Sequence, residues 1–303
     1  MRIYRQIILI SALCMLAGPG FGQSQKSFDE LVVKTNTFLT KYAELSPLGP
    51  ESFIPLEKSG LPEEAITFII SEANSFEGLS TNKDSIEEGS LLLVFQDLII
   101  DHIQKLIVHD KFASNYIEKL LSSESALSIT ISNDRKLYNF SLDEKTGGTY
   151  RSRISIMHYT EAQADLSILD GDGIDEIYAL ETEGGTKYVL TSHVRGCSYC
   201  FETSVMLVQF QEGVFVQDFA YSLSSRSWEE GVSYDPKLKT IKVDYTTDDL
   251  TTDCDCGGQS EENDSDPSME DDNYPTTLKC HCTFAFDGTT FVLTEESSEE
   301  VKD

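Results

Sequence analysis

Apolar residues recur at helical spacing through residues 23–122, so this part of the chain is predicted to be a helical region. Ser27 and Glu30 have the arrangement of a capping box, which predicts a helix start at Ser27. Pro62 suits the first turn of a second helix. The run from Leu91 to Val108 is strongly apolar with charged residues along one side, which predicts a mostly buried helix and no membrane span. Residues 75–89 are predicted to be a polar loop.

From Ala126 onward the spacing of apolar residues changes to alternation, which is typical of strands with one buried face. Leu127–Ile131 and Leu137–Leu142 are predicted to form a hairpin about Asn133 and Asp134. Further strands are predicted at Ile177–Thr182, Tyr188–Ser192, Val205–Phe210, Val214–Phe219, Lys239–Tyr245, Leu278–Phe286 and Thr290–Thr294. Short strands joined by hairpins favour an antiparallel meander over residues 123–295, rolled as a barrel, a sandwich or a partial propeller. The predicted fold class is α+β, with the N-terminal helical region packed on this C-terminal β-meander.

The two ends of the chain and one internal segment differ in composition from the rest. Residues 1–22 have the pattern of a secretory signal peptide, with Arg2 and Arg5 before an apolar run and Gly20-Phe21-Gly22 as a cleavage site. The sequence therefore predicts export to the periplasm, the cell surface or the extracellular space. Residues 257–279 are predicted to be an acidic surface loop, and residues 296–303 an acidic tail.

The formal net charge of −29 limits the partners that the protein can have. Nucleic acids and anionic membrane surfaces would be repelled by such a charge. Cations or a basic partner remain compatible with it.

All six cysteines that follow the N-terminal apolar run lie in the strand-rich half: Cys197, Cys200, Cys254, Cys256, Cys280 and Cys282. In an exported protein an even set of cysteines is expected to form disulfides. If the two C-x-C segments are neighbouring antiparallel strands, Cys254 lies opposite Cys282 and Cys256 opposite Cys280, and Cys197 then closes a small loop with Cys200. Two alternatives are a zinc site of four thiolates and a thioredoxin-type redox pair at Cys197 and Cys200, which would require a helix after the motif.

Residues 168–178, Ile-Leu-Asp-Gly-Asp-Gly-Ile-Asp-Glu-Ile-Tyr, form an acidic glycine motif that runs into a predicted strand. The spacing of ligands in a Ca²⁺ loop would place Asp170, Asp172, the carbonyl of Ile174 and Glu176 around the ion, with Gly173 at the sharp turn. Ile168 stands where the first carboxylate ligand would be. The motif resembles the Ca²⁺-binding loops of FG-GAP and VCBS-type β-repeats, and the resemblance implies a bound Ca²⁺ beside a strand. The alternative is a glycine-rich turn with solvated carboxylates.

A second resemblance covers residues 120–160. The stretch from Leu137 to Thr149, which follows a helical region, resembles part of a group of exported Gram-negative bacterial proteins of unknown function. The resemblance implies an exported protein of this architecture and assigns no activity.

The sequence contains none of the common catalytic motifs, such as G-x-S-x-G, H-E-x-x-H or a phosphate-binding glycine loop. His102 and His109 are predicted to be structural or surface residues, His158 to end a strand face, and His281 to point away from the cysteine face. His193 lies near Cys197, and the two could act as base and nucleophile, but a disulfide at Cys197 would prevent this. We therefore expect an exported, disulfide-stabilised binding or envelope-interaction protein, with Ca²⁺ as a stabilising ion. The alternative is a secreted hydrolase that uses paired carboxylates in a cleft between the helical and β parts.

Overall fold

The structure is a computed structural model, which describes residues 25–46, 52–72, 80–82, 84–121, 126–147, 152–161, 166–171, 173–196, 200–247 and 277–301. The predicted signal peptide lies outside these residues, as does all of the predicted acidic loop before residue 277. The chain divides into two compact units. The first consists of Met1–Ile129 and Tyr138–Gly171, and the second of Thr130–Leu137 and Asp172–Asp303. This division differs from the predicted boundary at residue 122, because the strands between Leu127 and Gly171, apart from the tip of one hairpin, belong to the helical unit.

The first unit contains the helices of the described ranges: α1 (Gln25–Glu44), α2 (Glu63–Glu72), α3 (Glu88–Ile107) and the single turn α4 (Ile117–Leu120). A small sheet in the order β1-β3-β2 lies between them in sequence, with β1 at Phe53–Pro55, β2 at Thr81–Asn82 and β3 at Ser85–Glu87. Part of the predicted polar loop is therefore strand. None of the helices in the described part of the chain has an apolar stretch long enough to cross a bilayer.

The capping box predicted at Ser27 is wrong. Helix α1 begins at Gln25, so Ser27 lies inside its first turn, and Ser27 Oγ is 3.1 Å from Nε2 of the buried His109. The local pattern of a hydroxyl followed by a carboxylate could not show that a distant imidazole would take the hydroxyl as its partner.

Helices α1 and α3 pack through the apolar faces that the sequence predicts. The ring of Phe38 lies 6.1 Å from that of Phe95 and 4.9 Å from that of His102. Phe95, Ile99 and Ile103 are fully buried, which accounts for the strongly apolar run of α3.

A four-stranded sheet in the order β4-β5-β6-β7 completes the first unit, and the tip of its first hairpin belongs to the second unit. Its strands are β4 (Leu127–Ile131), β5 (Leu137–Asp143), β6 (Arg153–Tyr159) and β7 (Leu166–Gly171). Strand β5 is buried on both faces from Leu137 to Leu142. Helical residues reach its end directly: Tyr42 donates a hydrogen bond to the carbonyl of Asp143, and Gln96 Nε2 donates to the carbonyl of Glu144 at 3.1 Å. The predicted α+β class, with helices packed on antiparallel strands, is confirmed.

The second unit contains two four-stranded antiparallel sheets. One has the order β11-β10-β9-β8, with β8 at Glu176–Thr182, β9 at Gly185–Arg195, β10 at Phe201–Gln211 and β11 at Val214–Ser225. The other has the order β12-β13-β14-β15, with β12 at Gly231–Asp235, β13 at Thr240–Thr247, β14 at Leu278–Phe286 and β15 at Phe291–Glu300.

The two sheets of the second unit share one core. Val189, Val205 and Leu207 of the first sheet lie in the same buried cluster as residues of β13 and β14, and the ring of Phe219 lies 5.5 Å from that of Phe284. The two sheets of the second unit therefore form a sandwich, one of the three arrangements that the sequence left open, whereas the sheet of β4 to β7 belongs to the first unit.

Two features of the second sheet differ from the predictions. Strand β12 was not predicted, and β15 continues to Glu300 through most of the predicted acidic tail. The glutamates of β15 are exposed, so the tail is charged as expected but is paired with β14. A charged edge strand of this kind resists pairing with other chains.

Candidate functional site

Of the four predicted Ca²⁺ ligands, the structure describes the backbone of Asp170 and the whole of Ile174 and Glu176. Asp170 belongs to the first unit and lies in β7, where it is the register partner of Ile154 in β6. Ile168 is likewise paired, with Ile156, so the start of the predicted loop is strand. Asp172 and the side chain of Asp170 lie outside the described residues.

The other two predicted ligands belong to the second unit, and both accept hydrogen bonds within the protein. The carbonyl of Ile174 accepts from Thr130 Oγ1 at 2.9 Å, and Glu176 Oε2 accepts from the hydroxyl of Tyr178 at 2.7 Å. Burial, and then this contact with Glu176, raises the pKa of Tyr178 to about 12, so Tyr178 is a hydrogen-bond donor at neutral pH. A Ca²⁺ at this site would have to share these oxygens.

Asp175, which the sequence did not single out, holds the start of β8 in place. Its Oδ2 accepts a hydrogen bond from the backbone N–H of His193 at 2.8 Å, and its own N–H donates to the carbonyl of Thr191 at 2.8 Å. The acidic motif therefore supplies at least one carboxylate with a structural role.

Of the six cysteines, Cys200, Cys280 and Cys282 lie in the described ranges. Cys280 and Cys282 are 0% and 2% exposed, on the core face of β14 where the sequence placed them. The ladder predicted between the two C-x-C segments is wrong, because β14 pairs with β13 on one side and with β15 on the other along both cysteines. Cys197, Cys254 and Cys256 lie outside the described residues, so the three sulfur pairings stay predictions.

The C-x-x-C motif lies between β9 and β10 in the sequence, and of its two cysteines only Cys200 is among the described residues. Arg195 is the register partner of Phe201, and the N–H of Gly196 donates to the carbonyl of Cys200 at 2.9 Å. A strand follows Cys200, whereas a thioredoxin-type motif opens a helix.

The same end of the sheet carries an aromatic cluster that the sequence analysis missed. Trp228, the single tryptophan of the chain, is 72% exposed and is the most exposed large apolar side chain in the described ranges. Its ring centroid lies 3.6 Å from that of the buried Phe201 and 5.9 Å from that of His193. The three residues are named the Trp228 cluster below. A lone tryptophan between polar residues was the signal that could have indicated it.

Hydrogen bonds hold the segment that carries Trp228. Ser225 Oγ contacts the carboxylate of Glu230, and the N–H of Ser227 donates to Ser225 Oγ at 2.9 Å. The hydroxyl of Ser225 therefore contacts residues on both sides of Trp228, which restricts the positions that this side chain can take.

Strand β12 anchors the far end of this segment. The N–H of Val232 donates to Thr203 Oγ1 at 2.8 Å. Gly231 has φ +151°, and a Cβ there would lie 2.9 Å from the same Oγ1, so the close approach of the two strands requires glycine.

The hydrolase alternative requires two facing carboxylates with perturbed pKa values in a pocket. A cavity of about 230 Å³ in the first unit contains one carboxylate, Asp110, among the described residues that line it. Burial raises the pKa of Asp97 to about 6, but Asp97 is not among the residues that line this cavity. The described residues that line this cavity thus do not supply the carboxylate pair that the alternative needs.

His109 links Ser27 and Asp110 at distances that a nucleophile, base and carboxylate could have. Its Nε2 is 3.1 Å from Ser27 Oγ, and its Nδ1 is 2.9 Å from Asp110 Oδ1. The N–H of Lys111 also donates to Nδ1 at 3.1 Å, however, and that contact needs the opposite protonation of Nδ1 from the one used in a catalytic triad. The contacts of His109 are those of a buried side chain that connects α1 to the segment after α3.

Comparison with known proteins found no match to any family model, curated protein or solved structure.

Proposed function

We propose that the protein is an exported, disulfide-stabilised binding protein of the cell envelope or its surroundings, which contacts a basic partner through the Trp228 cluster. The observation that carries this proposal is the exposure of Trp228 on a segment held by hydrogen bonds. The pattern of residues 1–22 supports export, and the even set of cysteines in the strand-rich half supports the crosslinks.

An exposed indole is a strong anchor for a partner. Tryptophan is enriched among the residues that dominate binding energy, because it has a large apolar surface and few rotatable bonds. Covering roughly 100 Å² more of this surface would contribute about 2.5 kcal/mol by area. Since the segment is already held at Ser225 and Thr203, little conformational entropy would be lost on binding.

The charge of the chain favours a basic partner. The net charge of −29 attracts cations over long range, and the exposed Glu229 stands next to Trp228 in sequence. The face of an indole is the best aromatic site for a Lys or Arg side chain. The net charge of the chain can therefore attract arginine or lysine side chains over long range, and the indole face of Trp228 can bind them locally.

Tryptophan fluorescence tests this proposal directly, because Trp228 is the only tryptophan and the signal comes from it alone. We expect a short arginine-rich peptide to change the emission of the mature protein at low salt, and a glutamate-rich peptide of equal length to leave it unchanged. Higher ionic strength should weaken the effect.

Dye-labelled peptide and fluorescence anisotropy allow the Trp228→Ala variant to be compared with the parent. We expect this variant to lose roughly tenfold in affinity for the arginine-rich peptide. Leu238→Ala is the matched control, since Leu238 is also an exposed apolar residue of the second unit, 66% exposed, in the turn before β13. Equal affinities of the two variants would contradict the proposal.

Ca²⁺ binding at Asp170, Asp172, Ile174 and Glu176 is a further part of the proposal, supported by the spacing of the acidic motif. If it is correct, Ca²⁺ should raise the melting temperature of the parent by a few degrees but not that of Asp172→Ala. Glu183→Ala removes an exposed carboxylate from the following turn and should retain the response. A parent midpoint that does not change with Ca²⁺ would reject the site.

A further inference from the structure

Strand β15 is an edge of the second sheet of the second unit. In the described part of the chain, β14 pairs with one of its two edges and no strand pairs with the other. Every residue from Val292 to Glu300 is exposed. The N–H and C=O groups along the open edge of such a strand can pair with the backbone of another chain.

The backbone hydrogen bonds show which residues of β15 face this open edge. The N–H of Val301 donates to the carbonyl of Thr277 at 2.9 Å, and the register continues from there without a shift as far as the bulge in the middle of β15. In an antiparallel ladder, hydrogen-bonded pairs alternate with pairs that are not hydrogen-bonded. The N–H and C=O groups of Glu296, Ser298 and Glu300 therefore point away from β14.

Four glutamates determine which strand could lie along this edge. Residues 295–300 have the sequence Glu-Glu-Ser-Ser-Glu-Glu, so Glu295 and Glu299 lie on one face of the sheet and Glu296 and Glu300 on the other. Like charges on neighbouring strands destabilise their pairing, whereas opposite charges stabilise it. The glutamates therefore disfavour a second copy of β15 and most other strands, and they favour a strand with positive charges at the matching positions.

We propose that β15 accepts an extended segment of another protein as a fifth strand of its sheet, and that this segment carries lysine or arginine in the pattern Lys-Lys-x-x-Lys-Lys. The outward backbone groups of β15 provide the main-chain hydrogen bonds that hold an added strand. The pairs of glutamates select its charge on both faces of the sheet. The pattern reads the same in both directions, so it suits a parallel or an antiparallel strand. The surface shares no residue with the Trp228 cluster, and the inference does not depend on that cluster.

The experiment separates pairing of the backbone from attraction of charges. The probe is a dye-labelled peptide, Lys-Lys-Val-Thr-Lys-Lys-Val-Thr-Lys-Lys, and fluorescence anisotropy measures its affinity for the full mature protein. One version is N-methylated at alternate residues, which leaves one edge able to pair, and another at every residue, which leaves none. We expect the first to keep most of the affinity and the second to lose roughly tenfold or more. Equal affinities of the two versions, or no binding of the unmethylated peptide, overturn the proposal.

Two variants of one residue locate the binding on β15. Ser298→Pro removes an outward N–H but keeps the charges and the hydrogen bonds to β14, and proline is tolerated on an edge strand where its nitrogen faces solvent. This variant should bind the peptide roughly tenfold more weakly, while the matched control Ser298→Thr should bind as the parent does. A parental affinity in Ser298→Pro would show that the peptide binds elsewhere. If Ser298→Pro does not fold, the methylated peptides on the parent decide the question.

Two further measurements identify other occupants and other sites. Trp228→Ala should bind the peptide with the parental affinity and the same dependence on methylation, and loss of binding in this variant would assign the peptide to the Trp228 cluster and overturn the inference. Sedimentation of the protein without peptide should show no dimer that Ser298→Pro abolishes. Such a dimer would show that a second copy of the chain occupies the edge, and it would contradict the proposal.

Discussion

Each unit uses a lysine side chain as an internal contact, and the two lysines have different partners. In the first unit, Lys145 Nζ donates to the carbonyls of Tyr42, Ala43 and Leu45 at 2.6, 2.8 and 2.6 Å. In the second, Lys187 Nζ forms an ion pair with Asp218 at 2.8 Å and donates to the carbonyl of Thr289 at 2.6 Å. The ammonium group of Lys145 therefore contacts neutral carbonyl groups, whereas that of Lys187 contacts a charged carboxylate.

Lys145 completes the end of helix α1. The last carbonyls of a helix have no partner within it, and they carry the negative end of the helix dipole. Lys145 supplies a cation to that end, and its Nζ lies 5.0 Å from the centroid of the Tyr42 ring. If Lys145 were lost, water could take its place at these half-buried carbonyls.

Lys187 is in a different situation, since it is 6% exposed and its partner is a carboxylate, Asp218, whose side chain is 25% exposed. Asp218 is the extra residue of a β-bulge between β10 and β11, where the register shifts between Leu207 and Val208. If Lys187 were lost, the carboxylate of Asp218 would remain without its counter-charge. The loss of a lysine lowers stability more when its partner is a charged group than when its partner is a neutral group.

The largest expected effect follows from that difference. Lys187→Met should destabilise the second unit by about 2–3 kcal/mol, because it removes a buried cation with its hydrogen bond to Thr289 and leaves Asp218 without its counter-charge. Trp228 reports on this unit in urea unfolding followed by tryptophan fluorescence. The double variant Lys187→Met with Asp218→Leu should recover most of the loss. A double variant as unstable as the single one would contradict the explanation.

A smaller effect is expected in the first unit. Lys145→Met should lower the free energy of unfolding by about 2 kcal/mol, since it removes charge-assisted hydrogen bonds to carbonyls that water can partly replace. The described helices all belong to this unit, so far-ultraviolet circular dichroism follows its unfolding.

The control for Lys145 is Lys105→Met, which removes an exposed lysine paired with Asp101 on α3. Surface pairs of this kind contribute at most about 1 kcal/mol. If Lys145→Met were no more destabilising than Lys105→Met, the role assigned to Lys145 at the end of α1 would be wrong.

The smallest effect concerns Asp97 of α3, a carboxyl group whose pKa is raised to about 6 by burial. Because the pKa in the folded state lies above the ordinary value of 3.8, protonated Asp97 favours folding at low pH, and this contribution is lost as the pH rises through 6. Asp97→Asn should therefore stabilise the first unit by about 1–2 kcal/mol near pH 8, with little change near pH 4. Urea midpoints at the two pH values measure the difference, and an equal gain at both would contradict the titration of Asp97.

Much of the second unit could be predicted because one face of each sheet is buried. The alternation of Leu278–Phe286 predicted β14 with its correct bounds, and the two glycines before Thr186 indicated the hairpin of β8 and β9. In the first unit, strand β5 was predicted from Leu137 to Leu142 although it is buried on both faces, because its apolar residues still alternate with Asn139 and Ser141.

The errors have a common cause, which is that a local pattern does not contain its distant partners. The acidic glycine motif indicates a loop, yet pairing with β6 extends β7 as far as Gly171. The C-x-C segments suit a ladder, yet β13 and β15 occupy both edges of β14. Strand β12 has only two apolar side chains, Val232 and Tyr234, which is too few for a periodic signal, and its Val232 N–H donates to Thr203 of a neighbouring strand.

The candidate site shows the same limit more strongly. The tryptophan at position 228 is visible in the sequence, but its exposure is not. Exposure and pKa depend on what packs against a side chain, and those neighbours come from strands and helices far away in sequence.

The amino-acid sequence by itself determined the change from helical to alternating spacing, the acidic net charge, and the apolar face that carries Cys280 and Cys282, because these are properties of neighbouring residues and of composition. Only the tertiary structure decided that the sheets form a sandwich, that β4 to β7 join the helices, and that Lys145 and Lys187 have different kinds of partner. Strand order and side-chain burial result from long-range packing, in which each segment competes with every other for the same apolar surface.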